Sequence, residues 1–168
     1  MNTNQIRFLL KGLKGFLGVF ASDEIPRIVP HKIPQCFVAN LDPSWKPGSH
    51  WVAFCIRKSK NIKVLEYFDS YGLFPPLELN KKEWKVIYNK TRFQKLRSTV
   101  CGHYCVFFVR QRLTGTSFQS IIKTLKRQPD PDNFVKKRAR RKLPGVGQCC
   151  QPCSCPVVEI LWNLTKEA

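Results

Sequence analysis

The stretch GSHWVAFCIRKSKNIKVLEYFDSYG, residues 48–72, decides the fold class of this chain. It contains two runs rich in β-branched and aromatic residues, HWVAFCI at 50–56 and KVLEYFD at 63–69, joined by the polar linker RKSKNI. Runs of this length and composition are typical of strands, and a short linker between them favours antiparallel pairing. The stretch is therefore predicted to be a β-hairpin.

Weaker patterns on either side complete the domain. The run FLLKGLKGFLGVFA at 8–21 is interrupted by two lysines, so it is interpreted as an amphipathic helix before a glycine turn, with a signal peptide as the alternative. Segments 33–41 and 85–88 are predicted strands. The runs at 98–113 and 117–127 have the apolar content and spacing of helices. The predicted order of one helix, then strands, then helices indicates an α+β domain.

Length and composition fit one folded domain. The chain has 168 residues, 43% hydrophobic and 12% aromatic, which is enough for a core and argues against disorder. No apolar run approaches the roughly 18 residues that a membrane span needs, so we expect a soluble protein with no membrane partner. The net charge of +18 predicts attraction to polyanions, and nucleic acid is the first candidate.

The composition changes near residue 135, where the basic run KKRARRK (136–142) begins. We therefore predict a folded body over residues 1–135 and a basic, cysteine-rich tail over residues 136–168. The tail has seven basic and two acidic residues, a net charge of +5, which leaves +13 for the body. The basic run is interpreted as a nuclear-localisation or nucleic-acid patch, with a solvated charged segment as the alternative.

The cysteines fall into two groups. Single cysteines among apolar residues behave as small hydrophobes, which indicates a reducing compartment. The tail has one Cys-x-x-Cys pair without a second pair at a distance, so no metal ligand is assigned. The single cysteines are Cys36, Cys55, Cys101 and Cys105, and the tail cysteines are Cys149, Cys150, Cys153 and Cys155.

The hairpin brings a histidine close to a carboxylate. If residues whose numbers add up to 119 face each other, His50 lies opposite Asp69. Directly opposed side chains have Cβ atoms roughly 4.5–5.5 Å apart, which lets a carboxylate orient an imidazole as a general base. A slip of one residue would destroy this pairing.

Cys101 is the candidate nucleophile. It begins the predicted helix, where free backbone N–H groups and the helix dipole favour the thiolate. Lys95 and Arg97 add positive potential, and Gly102 leaves the backbone open to a substrate carbonyl. Gln94 is an amide donor placed to complete an oxyanion hole.

Each of these four residues also has a structural explanation. A histidine at a strand edge often packs, an aspartate before Ser-Tyr-Gly can form a turn, and a glutamine can be a surface amide. Cys101 can be a buried thiol like Cys105, one helical turn further on, which is assigned to packing. His103 points away from Cys101 and is also assigned a structural role. The order His, acid, Gln, Cys is more informative than any one member.

Five segments together resemble the adenovirus-type cysteine endopeptidases, the adenain family, and their relatives in Maverick/Polinton elements and large DNA viruses. They are FLGVF at 16–20, Pro-His-Lys at 30–32, GSHWVAF at 48–54, EYFDSYG at 66–72 and QKLRSTVCGHYC at 94–105. The resemblance covers roughly residues 5–125. It implies a mixed central β-sheet flanked by helices.

The resemblance also implies residue roles. His50 would be the general base, Asp69 its orienting acid, Cys101 the nucleophile and Gln94 the oxyanion donor. Trp51 matches an aromatic position of the family, with core packing as an equal alternative. Adenoviral enzymes use Glu where this chain has Asp69, and the ubiquitin-like-protein proteases of the same clan use Asp.

Activation in this family involves a disulfide-linked peptide and DNA. This chain has no evident counterpart of the peptide-anchoring cysteine, so covalent peptide activation is not expected, whereas DNA remains a candidate activator because of the basic body. No cofactor is needed for the chemistry.

The leading hypothesis is a monomeric thiol endopeptidase that cleaves virion or capsid precursors near small residues such as Gly-Gly, in the host nucleus or the virion. One alternative is a protease that deconjugates a ubiquitin-like protein with the same residues. The other is a non-enzymatic, basic nucleic-acid-binding domain in which the cysteine and histidine are structural.

Overall fold

The fold is one mixed five-stranded sheet with helices packed on it. The structure is a computed structural model that describes residues 1–25, 34–76 and 84–140. The helices are α1 (Thr3–Leu10), α2 (Cys101–Leu113), α3 (Phe118–Lys126) and α4 (Pro131–Arg140), with a short 3₁₀ turn at Ser22–Glu24. The strands are β1 (Phe16–Phe20), β2 (Gln35–Asn40), β3 (Trp51–Ser59), β4 (Ile62–Phe68) and β5 (Trp84–Tyr88).

The sheet order follows the chain, from β1 to β5. The outer pairs β1–β2 and β4–β5 are parallel, and the inner pairs β2–β3 and β3–β4 are antiparallel. This arrangement confirms the α+β prediction and the mixed central sheet flanked by helices. The strands predicted at 33–41 and 85–88 correspond to β2 and β5, and the helices predicted at 98–113 and 117–127 correspond to α2 and α3.

The hairpin forms as predicted, but its register differs. Facing residues add up to 121, as in Ala53 with Phe68 and Ser59 with Ile62. The predicted sum of 119 was wrong because the strands continue through most of the expected linker and turn tightly at Lys60, whose φ is +55°. The error is an even number of positions, so every side chain stays on the predicted face of the sheet.

The two faces of the sheet carry separate cores. Helix α2 lies on one face, where Phe108 stacks on Phe68 with ring centroids 4.8 Å apart. On the other face Phe37 stacks on Phe54 at 4.6 Å, within a smaller apolar cluster. Helix α2 is buried on nearly all sides because it packs against the sheet, α1 and α4. The start of α2 is therefore held firmly against the ends of the central strands.

The amino-terminal prediction was wrong in part. A helix does form, but it ends at Leu10, and residues 16–20 form strand β1 beside β2. Asn2 caps this helix reciprocally with Gln5, an N-terminal signal that lies before the predicted run. Gly15, at φ +91°, allows the chain to turn close to the Pro34 carbonyl, where a Cβ would come within 2.5 Å.

Helix α4 crosses the predicted boundary between body and tail. Val135 and Ala139 are fully buried, and Arg110 donates hydrogen bonds to the carbonyl oxygens of Arg138 and Ala139. Residues 136–140 therefore belong to the folded body, and the division of the chain into domains otherwise stays a prediction. The tail cysteines and the rest of the basic run lie outside the described residues.

The four single cysteines are all free thiols, and three of them are buried. Within residues 1–25, 34–76 and 84–140, no helix is long and apolar enough to cross a membrane.

Candidate active site

The ends of three secondary-structure elements meet at one edge of the sheet. His50 is the residue before β3, Asp69 the residue after β4, and Cys101 the first residue of α2. They lie beside a cleft of about 370 Å³. The side chains lining the cleft include His50, Trp51, Tyr71, Gln94, Ser98, Thr99 and Cys101. The structure thus brings together all four residues singled out in the sequence.

His50 and Asp69 form a close pair. Nε2 of His50 lies 2.7 Å from Oδ1 of Asp69, whose side chain is fully buried. The last paired residues are Ala53 and Phe68; continuing their register beyond the ladder would put Tyr71 opposite His50 and Asp69 at the diagonal position. The pair still forms because diagonal neighbours on one face are within reach of long side chains. Since Nε2 faces the carboxylate, Nδ1 is the ring nitrogen left for the thiol.

The charges of the site are coupled. Burial lowers the pKa of His50, but hydrogen bonds to Asp69 and Cys101 outweigh it and raise the pKa to about 9. Burial raises the pKa of Cys101, but the His50 hydrogen bond and the backbone N–H groups of Trp51 and Gly102 outweigh it, and the net shift is downward. Both shifts favour a thiolate beside an imidazolium at neutral pH.

Gln94 is locked into the wall of the cleft. Its side chain is almost completely buried, and Oε1 accepts a hydrogen bond of 2.7 Å from the hydroxyl of Ser70. Nε2 donates to the Ser98 carbonyl at 2.5 Å and to the Tyr71 hydroxyl at 3.1 Å. The Ser98 carbonyl can only accept, so this contact fixes which end of the amide is the nitrogen.

Asn89 is a site residue that the sequence did not reveal. Its Nδ2 donates to the Asp69 carbonyl at 2.6 Å, and its Oδ1 accepts from the Asp69 amide N–H at 3.0 Å. Both backbone polar groups of the acid are thus held by one buried side chain. The sequence signal for this role was only that an asparagine directly follows a predicted strand. That signal is weak because asparagine is common in turns.

Tyr71 is the second such residue. Its ring stacks on His50 with centroids 4.9 Å apart, and its backbone N–H donates to Oδ1 of Asp69 at 2.8 Å. The chain then turns back at Gly72, where a Cβ would come within 2.8 Å of the backbone of Thr91. The motif Asp-Ser-Tyr-Gly therefore builds one wall of the site, and of its residues the sequence analysis had assigned a role in the site only to Asp69.

Several neighbours have roles other than those expected. A Cβ on Gly102 would meet the side chains of Met1 and Ile6 at 3.0–3.3 Å, so glycine lets the amino-terminal segment pack closely here. Trp51 lines the cleft and donates from Nε1 to the Met1 carbonyl at 3.0 Å. Lys95 pairs with Asp130 at 3.2 Å on the surface.

His103 and Cys105, which the sequence analysis assigned to structural roles, differ from His50 and Cys101 in the direction of their pKa shifts. Burial, together with nearby positive charge, lowers the pKa of His103 to about 4. Burial raises the pKa of the Cys105 thiol well above its ordinary value. Across the described parts of the chain, no group of three or more His, Cys, Asp or Glu side chains is placed to hold a metal ion.

No family model matches the chain. A cysteine protease of African swine fever virus (isolate Tick/Malawi) is 34% identical over 100 residues, which cover 52% of this chain and 37% of the relative. The chain is similar to viral cysteine proteases. A relative from the Pig/Kenya isolate, named a SUMO-1 cysteine protease, is 33% identical with the same coverage.

The match thus spans a little over a third of the length of these curated relatives. The crystal structure of the African swine fever virus pS273R protease aligns with a TM-score of 0.51 and 21% identity, over 79% of this chain and 62% of that one. It confirms the predicted fold class. The predicted relationship to cysteine proteases is also confirmed, but the finer assignment to the adenovirus type is not tested by these relatives.

Proposed function

We propose that this chain is a cysteine endopeptidase in which Cys101 is the nucleophile and His50 its base. The observation that carries the proposal is the chain of contacts from Asp69 through the imidazole to a thiol at a helix start. The buried carboxylate fixes the ring orientation and stabilises the imidazolium. The similarity to viral cysteine proteases supports the same reading.

The first half of the reaction forms an acyl-enzyme. The Cys101 thiolate attacks the peptide carbonyl carbon, a C–S bond forms, and the carbonyl π electrons move to the oxygen. The wall that contains Gln94 helps to stabilise this oxyanion, together with backbone N–H groups at the start of α2. As the C–N bond breaks, the proton on Nδ1 of His50 passes to the leaving amine.

The second half releases the product. Neutral His50 takes a proton from water, the hydroxide attacks the thioester carbonyl, and the C–S bond breaks. The thiolate leaves beside the imidazolium, which restores the resting pair. Asp69 keeps its charge throughout because its role is to hold and stabilise the ring.

The proposed substrates are virion or capsid precursor proteins, cut near small residues such as Gly-Gly in the host nucleus or the virion. The cleft supports this class because the side chains of Trp51 and Tyr71 line it, which limits space for large residues next to the scissile bond. We further propose an adenovirus-type relationship and a monomeric enzyme with no cofactor for the chemistry.

DNA is proposed as an activator of this enzyme. The support is the net charge of +18 and the exposed basic face of α4, which includes Lys136, Lys137 and Arg138. Attraction to phosphates through such residues falls steeply as salt is raised. Stimulation of turnover by DNA should therefore disappear between low and moderate ionic strength.

A second candidate substrate is a ubiquitin-like protein. Two observations favour it: one relative is named a SUMO-1 cysteine protease, and the acid of this chain is Asp69. The same catalytic residues would then cut after the carboxyl-terminal glycines of the modifier. An electrophilic probe made from such a modifier would label Cys101 if the substrate is a ubiquitin-like protein. It would leave Cys101 unlabelled if the substrates are virion or capsid precursors.

The deciding experiment compares Cys101→Ala with Cys105→Ala on a fluorogenic Gly-Gly peptide, with and without DNA. We expect the first variant to lose turnover to background and the second to keep it, because only the first removes the nucleophile. Unchanged turnover in Cys101→Ala would eliminate the proposed mechanism. If Cys101 of the wild type also fails to react selectively with iodoacetamide at neutral pH, the non-enzymatic nucleic-acid-binding reading is favoured.

A further inference from the structure

The amino-terminal segment, residues 1–3, forms part of the wall of the active-site cleft. Met1, Asn2 and Thr3 line this cleft together with His50 and Cys101. The sequence analysis assigned no role to these three residues, because they precede the predicted helix. They also take no part in the proposed mechanism, so their position beside the nucleophile calls for another explanation.

Two contacts hold this segment against residues next to the catalytic pair. The indole Nε1 of Trp51, the residue after His50, donates a hydrogen bond of 3.0 Å to the Met1 carbonyl. A Cβ built on Gly102, the residue after Cys101, would lie 3.0 Å from Cβ and 3.3 Å from Sδ of Met1. Met1 therefore contacts both the start of β3 and the first turn of α2.

Helix α1 keeps the segment in a fixed position. Asn2 and Gln5 cap the start of the helix reciprocally, and Ile6 is fully buried in the core. At the other end of α1, Arg110 donates a hydrogen bond of 2.7 Å to the Leu9 carbonyl. Close-packed protein of this kind is hard to compress, so a wall fixed at both ends can exclude side chains by size.

The cleft continues past this segment into a second cavity of about 210 Å³. Thr3 and Trp51 line both spaces, and so do Pro47 and Gly48 from the loop before β3. A peptide that extends from the reacting sulfur into the second cavity would pass between residues 1–3 and this loop. The width of that passage limits the side chains that the peptide can carry there.

We propose that residues 1–3 determine specificity: they cover Gly102 and hold the Trp51 indole, and so restrict the residue next to the scissile bond to glycine. The inference rests on the proposed protease function and adds a third wall to the two aromatic residues that narrow the cleft. The segment acts on the fit of the substrate and supplies no group to the chemistry. In a close-fitting site, one carbon more or less changes kcat/KM by about 10–200-fold.

The test compares two fluorogenic peptides that differ at one position: Gly-Gly, and Gly-Ala with the alanine next to the scissile bond. We expect the wild type to prefer the Gly-Gly peptide in kcat/KM by at least about tenfold. Met1→Gly removes the side chain that covers Gly102. The preference should then fall at least about fivefold, because kcat/KM for the Gly-Ala peptide rises. Both chains are released from an amino-terminal carrier by enterokinase, so that residue 1 is the first residue of each.

Trp51→Phe tests the second contact. The change keeps an aromatic ring in the cleft and removes the N–H that binds the Met1 carbonyl, so the preference should again fall, by about two- to fivefold. The matched control is Phe8→Ala on the same helix, because Phe8 is 80% exposed and lines neither cavity. Both of its kcat/KM values should stay within about twofold of the wild type.

The inference and the protease function fail in different ways. A preference that is unchanged in both Met1→Gly and Trp51→Phe overturns the inference, even where both peptides lose turnover by one factor, because the segment then only supports the fold. A wild type that cleaves the two peptides equally well overturns the inference and leaves the protease function standing. A wild type that cleaves neither peptide overturns both. Thermal unfolding of each variant checks that the chain is folded.

Discussion

Two thiols one helical turn apart on α2 have opposite properties. Cys101 begins the helix at the cleft, and its pKa is lowered. Cys105 lies four residues later within the core, and its pKa is raised well above the ordinary value. Burial acts in the same direction on both, since it always disfavours the charged sulfur. Burial therefore cannot explain which thiol becomes a nucleophile.

The difference lies in the donors around each sulfur. Cys101 faces the imidazole of His50 and the backbone N–H groups of Trp51 and Gly102. Cys105 has a minor contribution from its own backbone N–H, and it also feels the negative charges of Cys101 and Asp69. The reactivity of Cys101 is thus set by groups at the start of β3 and in the first turn of α2.

The largest effect is expected from His50→Ala. Turnover should fall by about 10²–10⁴-fold because proton transfer to the leaving amine is lost. The pKa of Cys101 should rise toward its ordinary value, since the imidazolium no longer stabilises the thiolate. The apparent pKa from the pH dependence of iodoacetamide alkylation measures this shift directly.

The matched control is His103→Ala. His103 is nearer to Cys101 in the sequence, but its pKa of about 4 keeps it neutral at pH 7. The alkylation profile should therefore not move. A shift in this control would mean that His103 also acts on the thiol, and that the Asp69–His50 contact is not what sets its pKa. In the wild type, turnover should decline as the pH rises through about 9, where His50 loses the proton that it gives to the amine.

The sequence predicted the positions of His50, Asp69 and Cys101 better than it predicted the residues around them. The hairpin placed His50 and Asp69 on one face even though the register was off by two positions, because the side-chain period of a strand is two. Cys101 was expected at the helix start because Ser98 and Thr99 precede a long apolar run; it is the first helical residue, although the N-cap is Val100 and no side chain caps the helix. Local sequence signals were enough to place both.

Local sequence signals could not predict the contacts between loops. Asn89 binds the backbone of Asp69, and Gln94 binds Ser70 and Tyr71, across sequence separations of 20 to 24 residues. Nothing periodic specifies which amide meets which carbonyl, since that depends on how closely two loops approach. For the same reason the sequence suggested Gln94 as an amide donor but not its partners, and its hydrogen bonds with Ser70, Tyr71 and Ser98 are seen only in the structure.

A smaller effect is expected from Asn89→Ala. The change leaves the buried N–H and C=O groups of Asp69 without their partner, at a cost of about 1–3 kcal/mol in the free energy of unfolding. The acid would hold His50 less firmly, and we expect about a tenfold loss in kcat/KM, as for other groups that orient a site residue. Turnover assays and denaturant titration measure the two quantities.

The control for this variant is Asn133→Ala, an asparagine in the first turn of α4 whose side chain is exposed. It should change the free energy of unfolding by no more than about 0.5 kcal/mol and leave kcat/KM unaltered. A loss of stability in Asn89→Ala with full kcat/KM would show that Asn89 supports the fold and not the acid.

The smallest effect on chemistry is expected from Cys105→Ala, although this thiol is the more deeply buried of the two. Removing the sulfur leaves a small cavity in the core cluster that also includes Phe108 and Val109, and should cost about 1–2 kcal/mol in the free energy of unfolding. For a domain of this size the melting temperature would fall by about 2–8 °C. Alkylation of Cys101 should stay within about twofold, because none of the donors to its sulfur is touched. A larger change would mean that the core beneath the first turn of α2 also sets the reactivity of Cys101, in addition to the groups that contact its sulfur.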